Sequence, residues 1–151
     1  MRSITILIAE DDEEDRMLVQ EAWEESLLAN DLRFVCDGRE LMDYLHRRGR
    51  YVSPSDAPRP GLILLDLDMP GKDGREAIAE IRSAPALRGI PVVVLTSSKA
   101  EEDILRSYDL GVNSYVTKPV TFDKLVEVLK VLHQYWFGIV ELPGEPGAGI
   151  T

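Results

Sequence analysis

Apolar runs in this sequence repeatedly end in residues able to do chemistry. "ITILIA" (Ile4–Ala9) is followed by Glu10, Asp11 and Asp12. "LILLDLDMPGKDG" carries Asp66 at the end of its apolar stretch and Asp68 two residues later. "PVVVLT" (Pro91–Thr96) ends in Thr96 and runs into Ser97 and Ser98, and "SYVT" (Ser114–Thr117) leads to Lys118-Pro119. Carboxylates brought close together repel, and one is pushed toward its protonated form unless a cation joins them. Mg²⁺ fits that role because it takes oxygen ligands, keeps waters, and is commonly held by one or two carboxylates plus a phosphate. A phosphate drawn in this way needs further partners, and a lysine ammonium and a hydroxyl are at hand. Asp66 is then a candidate nucleophile, since a carboxylate can accept a phosphoryl group as an acyl phosphate. Cation, lysine and hydroxyl would stabilise charge on the transferring group.

Such convergence requires a scaffold that brings strand ends together. Expected strands are Ile4–Ala9, Arg33–Cys36, Leu62–Leu67, Pro91–Thr96 and Ser114–Thr117. The first, third and fourth are almost continuously apolar, as expected of parallel strands covered on both faces. Helical spacing fills the gaps: Val19, Ala22, Trp23 and Leu27; Leu41, Tyr44 and Leu45; Phe122, Leu125, Val126 and Leu129. Further helices are expected at Arg75–Arg82 and Glu101–Leu110, the latter stopped by Gly111 in a left-handed conformation. A βα unit repeated five times argues for an α/β fold, a doubly wound open sheet, which binds ligands at the carboxyl ends of its strands. Two segments depart from this rhythm. "RRGRYVSPSDAPRP" (Arg47–Pro60) exceeds the usual ~2–6 residues of a helix-to-strand loop and is expected at the amino edge of the sheet. The stretch after Trp136 is dense in Gly and Pro and too short to fold alone.

The remaining composition sets limits. The chain has 151 residues, 44% hydrophobic and 29% charged, with a formal net charge of −10. That suits one globular domain. It lacks the basic face of a nucleic-acid binder. No segment is long enough to span a membrane, and no secretory signal pattern is present. The single cysteine, Cys36, is expected as a reduced thiol in the core of a cytoplasmic protein.

The four strand-end groups together resemble the receiver domain of two-component response regulators. The residues that carry the resemblance are Glu10-Asp11, "LLDLDMPGKDG" around Asp66, "LTS" with Thr96, and "SYVTKP" with Tyr115 and Lys118-Pro119. It covers Ile4 to Trp136 and implies a flavodoxin-like five-stranded parallel sheet of order 2-1-3-4-5. It implies residues 1–136 as the receiver and 137–151 as a C-terminal extension without an output domain. Asp66 would be the phosphoacceptor. Asp11, Asp66 and the backbone carbonyl of Asp68 would bind Mg²⁺, or Mn²⁺ in its place, with Glu10 acting through water. Lys118 would pair with a phosphate oxygen, and Thr96 and Tyr115 would form the switch. The Lys118–Pro119 peptide would be cis. The face made by the fourth helix, fifth strand and fifth helix would carry the signal. The protein's chemistry would be confined to its own phosphorylation and dephosphorylation.

A narrower likeness, to stand-alone receivers that serve phytochrome-type histidine kinases, rests on "LLDLDMPGKDGREAIAEIR", the proline-rich loop, "IPVVVLTSS" and "YWFGIVELP". It implies such a kinase as phosphate donor. A homodimer through the signalling face is expected, with a histidine phosphotransfer protein or another protein downstream. Alternatives remain open on sequence alone. "LLDLDMP" also resembles the DxD motif of haloacid-dehalogenase-type phosphatases, although its position in mid-chain and the lack of a cap segment speak against that. A pseudo-receiver scaffold would fold without being phosphorylated. A P-loop nucleoside triphosphatase is excluded by the missing glycine-rich lysine signature. Asp12 and Glu13–Asp15 read as a helix cap and first turn. Tyr115 reads equally as a core aromatic. His46 and His133 read as surface or boundary residues without partners. The apolar residues Trp136, Phe137, Ile139, Val140 and Leu142 would cover the fifth helix or dock on a second subunit.

Overall fold

The computed structural model describes residues 5–25, 31–53, 57–66, 74–96, 100–102, 111–112, 114–117 and 121–134. Five strands alternate with helices: β1 (Thr5–Ala9), α1 (Glu13–Glu25), β2 (Asp31–Val35), α2 (Gly38–His46), a 3-10 turn (Gly49–Tyr51), β3 (Leu62–Asp66), α3 (Gly74–Ser83) and β4 (Val92–Thr96). Next come α4, described at residues 100–102, then β5 (Ser114–Thr117) and α5 (Phe122–His133). All strand pairs are parallel, and the order is β2-β1-β3-β4-β5, as expected.

The apolar strands are sandwiched between two helical layers. Successive side chains of a strand point to opposite faces. Leu7, Ile63, Leu65, Val92 and Val94 therefore meet Leu41 and Met42 of α2 and Ala77, Ile78 and Ile81 of α3. On the other face Ile6, Ile8, Leu62, Leu64 and Val93 meet Ala22 and Trp23 of α1 and Leu129 of α5. Burying a side chain of this size is worth roughly 1.5–3 kcal/mol, so the three central strands are fixed firmly. Because every strand runs the same way, Ala9, Val35, Asp66, Thr96 and Thr117 all reach the same edge.

Local chemistry sets the helix ends. Asp12 accepts hydrogen bonds from the backbone N–H of Glu14 (2.8 Å) and Asp15 (3.2 Å) and so caps α1. Asp37 does the same for α2 through Glu40 N (2.7 Å), and Thr121 for α5 through Lys124 N (3.3 Å). α2 closes at Arg47 in a left-handed conformation, φ 55°. Gly111 adopts φ +76°, the conformation its position after a helical pattern requires.

Several sequence-based expectations need correction. β2 begins at Asp31 rather than Arg33 and ends before Cys36. Its polar start is tolerated because β2 is an edge strand, where Arg33 Nε pairs with Asp31 Oδ2 at 2.8 Å. Cys36 thus lies past the strand and is exposed, not in the core. Pro91 has no N–H to give the ladder, and β4 starts at Val92, although the Pro91 carbonyl accepts from Ile63 N at 3.0 Å. His46 has a partner after all: its Nε2 lies 3.0 Å from Glu80 Oε2 on α3. The side chain of His133 and the segment beyond Gln134 lie outside the described residues.

The long loop before β3 contributes to the core. Tyr51 and Ala57 are buried. The Tyr44 and Tyr51 rings lie 5.1 Å apart, and Tyr44 OH donates to Pro58 O at 2.8 Å. Among the described residues no helix is long and apolar enough to cross a membrane.

Candidate functional site

The carboxyl edge of the sheet gathers a dense group of acids. Asp66 is the last residue of β3 and is only 1% exposed. Glu10 follows β1 directly and is 3% exposed. Its N–H continues the ladder by donating to Val35 O at 2.9 Å. Asp11, next in the chain, is exposed. One carboxylate oxygen from each of Glu10, Asp11 and Asp66 can be chosen so that all lie within 4.8 Å of one another. The placement follows from register: Ala9 pairs with Leu65, so the residues just beyond them, Glu10 and Asp66, become neighbours across adjacent strand ends.

Two buried carboxylates and a third at the mouth form a poor arrangement unless a positive charge joins them. Their donor set is all oxygen, as a hard divalent cation requires, and Asp11 keeps the group open to solvent. The site therefore fits a divalent cation. Asp11 and Asp66 would hold it, with Glu10 beside them within reach of a bridging water, and it would supply charge neutralisation for an incoming anion.

The polar groups expected around these acids are partly in view. Thr96 ends β4 and is fully buried, one position beyond Leu95, the register partner of Asp66. Its hydroxyl lies 3.5 Å from the Val116 carbonyl on β5. Tyr115, on β5, is half-buried and packs against the α2–α3 side of the core, together with Val112. Asp68, Lys118 and Pro119 lie outside the described residues, and so does the expected cis peptide.

The loop between β1 and α1 is held by more than its own ladder bond. Glu10 Oε2 accepts from Asp12 N at 3.2 Å. Arg16, on the first turns of α1, donates from Nη1 to the carbonyls of Glu10 (2.9 Å) and Asp11 (3.1 Å). No chemical motif in the sequence singles out Arg16. The available signal was its place four residues after the helix cap, because helical side chains point back toward the N-terminus.

A second polar cluster lies beside the tip of β2. Glu40 accepts from Cys36 N (2.6 Å) and Tyr51 OH (2.6 Å) and pairs with Arg50 (2.9 Å). Burial pushes the Glu40 carboxyl up, but the hydrogen bonds from Tyr51 and Cys36 and the Arg50 charge outweigh it, and the group lies below its ordinary value. Burial and then Glu40 raise Tyr51 to about 12. Burial foremost, then Glu40, raises the Cys36 thiol, which argues against a reactive thiolate there.

Comparison with known proteins decides the family. Residues 6–130 match the response regulator receiver domain. The chain belongs to the response regulator receiver family. The response regulator Rcp1 of Synechocystis sp. is 44% identical over 138 residues, covering 91% of this chain and 92% of that protein. Among solved structures, the phosphorylated cyanobacterial phytochrome response regulator RcpA is 44% identical with a TM-score of 0.83, covering 95% of this chain and all of that one. The Mn²⁺-bound form of Rcp1 is 42% identical with a TM-score of 0.79, covering 93% and 99%. Membership makes the protein a phosphoacceptor in two-component signalling, with a histidine kinase as the implied partner, and sets aside the haloacid-dehalogenase alternative.

Proposed function

We propose that this receiver takes a phosphoryl group onto Asp66 from a phytochrome-type sensor histidine kinase, with Mg²⁺ as the cation. The observation that carries this reading is the convergence of Glu10, Asp11 and Asp66 at the carboxyl edge of the sheet, beside the buried Thr96. In the reaction an oxygen of Asp66 attacks the phosphorus of the kinase phosphohistidine. The P–N bond breaks, and its electron pair returns to the imidazole. Asp11 and Asp66, with the Asp68 carbonyl, would hold the cation directly, and Glu10 would act through water. Lys118 receives one phosphate oxygen.

The signal passes through Thr96. Its hydroxyl turns from the Val116 side toward the new phosphate, and Tyr115 rotates inward behind it. This reshapes the face formed by α4, β5 and α5, which we assign to homodimer formation, with residues 137–151 as an extension of receiver 1–136. The phytochrome assignment is supported by the identity to Rcp1 and RcpA along nearly the whole chain.

Transfer from a labelled, autophosphorylated phytochrome-type kinase tests the pairing. Label should move to the wild type within minutes and not to Asp66→Asn. No transfer from such a kinase, alongside labelling by a small-molecule donor, would overturn the pairing and leave the acceptor assignment standing.

A further inference from the structure

We infer that Arg16 is a positioning residue for the cation site, an inference that rests on the reading of Glu10, Asp11 and Asp66 given above. Two of the three carboxylates sit on consecutive residues in a turn between a strand and a helix. Turns of this kind owe their shape to whatever satisfies their backbone groups. Here one guanidinium nitrogen, Nη1, donates to both successive carbonyls, Glu10 O at 2.9 Å and Asp11 O at 3.1 Å. Arg16 is itself anchored: its N–H donates to Asp12 O at 2.9 Å, inside a helix whose start is fixed by the Asp12 cap. The turn is thereby closed from three sides, by the Val35 carbonyl on β2, by the Asp12 N–H on Glu10 Oε2 and by Arg16. Fixing the carbonyls of Glu10 and Asp11 restricts the backbone of those two residues, and with it the directions of their own side chains. Both carboxylates are then aimed at Asp66 before any cation arrives.

The charge of Arg16 has a second effect of opposite sign. A guanidinium near three acids offsets their mutual repulsion while no cation is bound, but it repels an incoming dication. If charge were the whole contribution of Arg16, removing it would tighten cation binding. If placement of the turn dominates, removing it weakens binding, because freed carboxylates must be reordered each time. The bidentate use of Nη1 on rigid backbone oxygens favours placement.

The test is Mn²⁺ binding to the full chain, read from the electron paramagnetic resonance signal of free Mn²⁺, for wild type, Arg16→Met and Arg16→Lys. Urea midpoints measured with chelator report folding separately. Arg16→Met, which keeps the aliphatic stem, is expected to bind Mn²⁺ roughly tenfold more weakly, equivalent to about 1.4 kcal/mol. Arg16→Lys, which retains charge and donors without the planar fork, is expected to fall between Met and wild type. Folded Arg16→Met with equal or tighter Mn²⁺ binding overturns the inference. If Arg16→Met does not fold, Arg16→Gln carries the same readings. Wild type that binds no Mn²⁺ overturns the site reading itself, and this inference with it, whereas wild-type binding with an indifferent Arg16 removes only the inference.

Discussion

Replacing Asp66 with asparagine should stabilise the cation-free protein. Asp66 and Glu10 are both buried, and their oxygens lie within 4.8 Å. At that separation two unit charges repel by about 3.5 kcal/mol at an effective dielectric of ~20. Glu10 also accepts from Asp12 N, Arg16 stands close to the turn, and Asp66 has an interaction of its own, so part of this repulsion is already offset. A net gain of about 1–2 kcal/mol remains for Asp66→Asn, which is about 3–6 °C in Tm for a domain of this size. The assay is urea and thermal unfolding in chelator, then in excess Mg²⁺. Wild type should rise with Mg²⁺, by about 2.7 kcal/mol at a hundredfold excess over Kd. Asp66→Asn should respond little, and the order of the two proteins should close or invert. An asparagine variant less stable than wild type in chelator would refute the repulsion argument. A wild type indifferent to Mg²⁺ would refute the cation site.

Further outcomes follow from the same structure. The Glu40 carboxyl lies below its ordinary value, so its stabilising contribution is complete above about pH 4.5 and is lost as pH falls through the depressed folded value. Glu40→Gln should therefore flatten the loss of stability between about pH 5 and 3, measured by urea midpoints across that range. Tyr51→Phe removes the 2.6 Å hydrogen bond to Glu40 and should lower stability by about 1–3 kcal/mol, read by chemical denaturation at neutral pH. Gly111→Ala forces a side chain onto φ +76°, where the added Cβ meets Arg82 only at ordinary contact distance; backbone strain alone should cost about 1–2 kcal/mol by the same method.

The sheet was legible because its chemistry is redundant. β1, β3 and β4 are apolar enough to be buried on both faces, and each ends in, or runs directly into, a polar group at the carboxyl edge. The acid cluster was legible for the same reason: Glu10 and Asp11 follow β1 directly, and Asp66 closes β3. What was missed depends on contacts distant in sequence. The residue pattern starts β2 two residues late because Asp31 and Arg33 neutralise each other on an edge strand. Cys36 looked like core because of its residue type, yet the strand ends before it and Glu40 takes its N–H. The His46 partner, Glu80, is on a different helix. Arg16 looked like one more charge on a solvated helix, and its role lies in two backbone carbonyls that no residue pattern displays.

The proposed phosphoacceptor is the carboxylate at the tip of β3, Asp66. Intact mass of the full chain after incubation with Mg²⁺ and acetyl phosphate, beside Asp66→Asn, tests it most directly. Wild type should gain a single phosphoryl adduct, lost on chelation of the metal before addition, and the variant none. An adduct of equal yield on Asp66→Asn would contradict it.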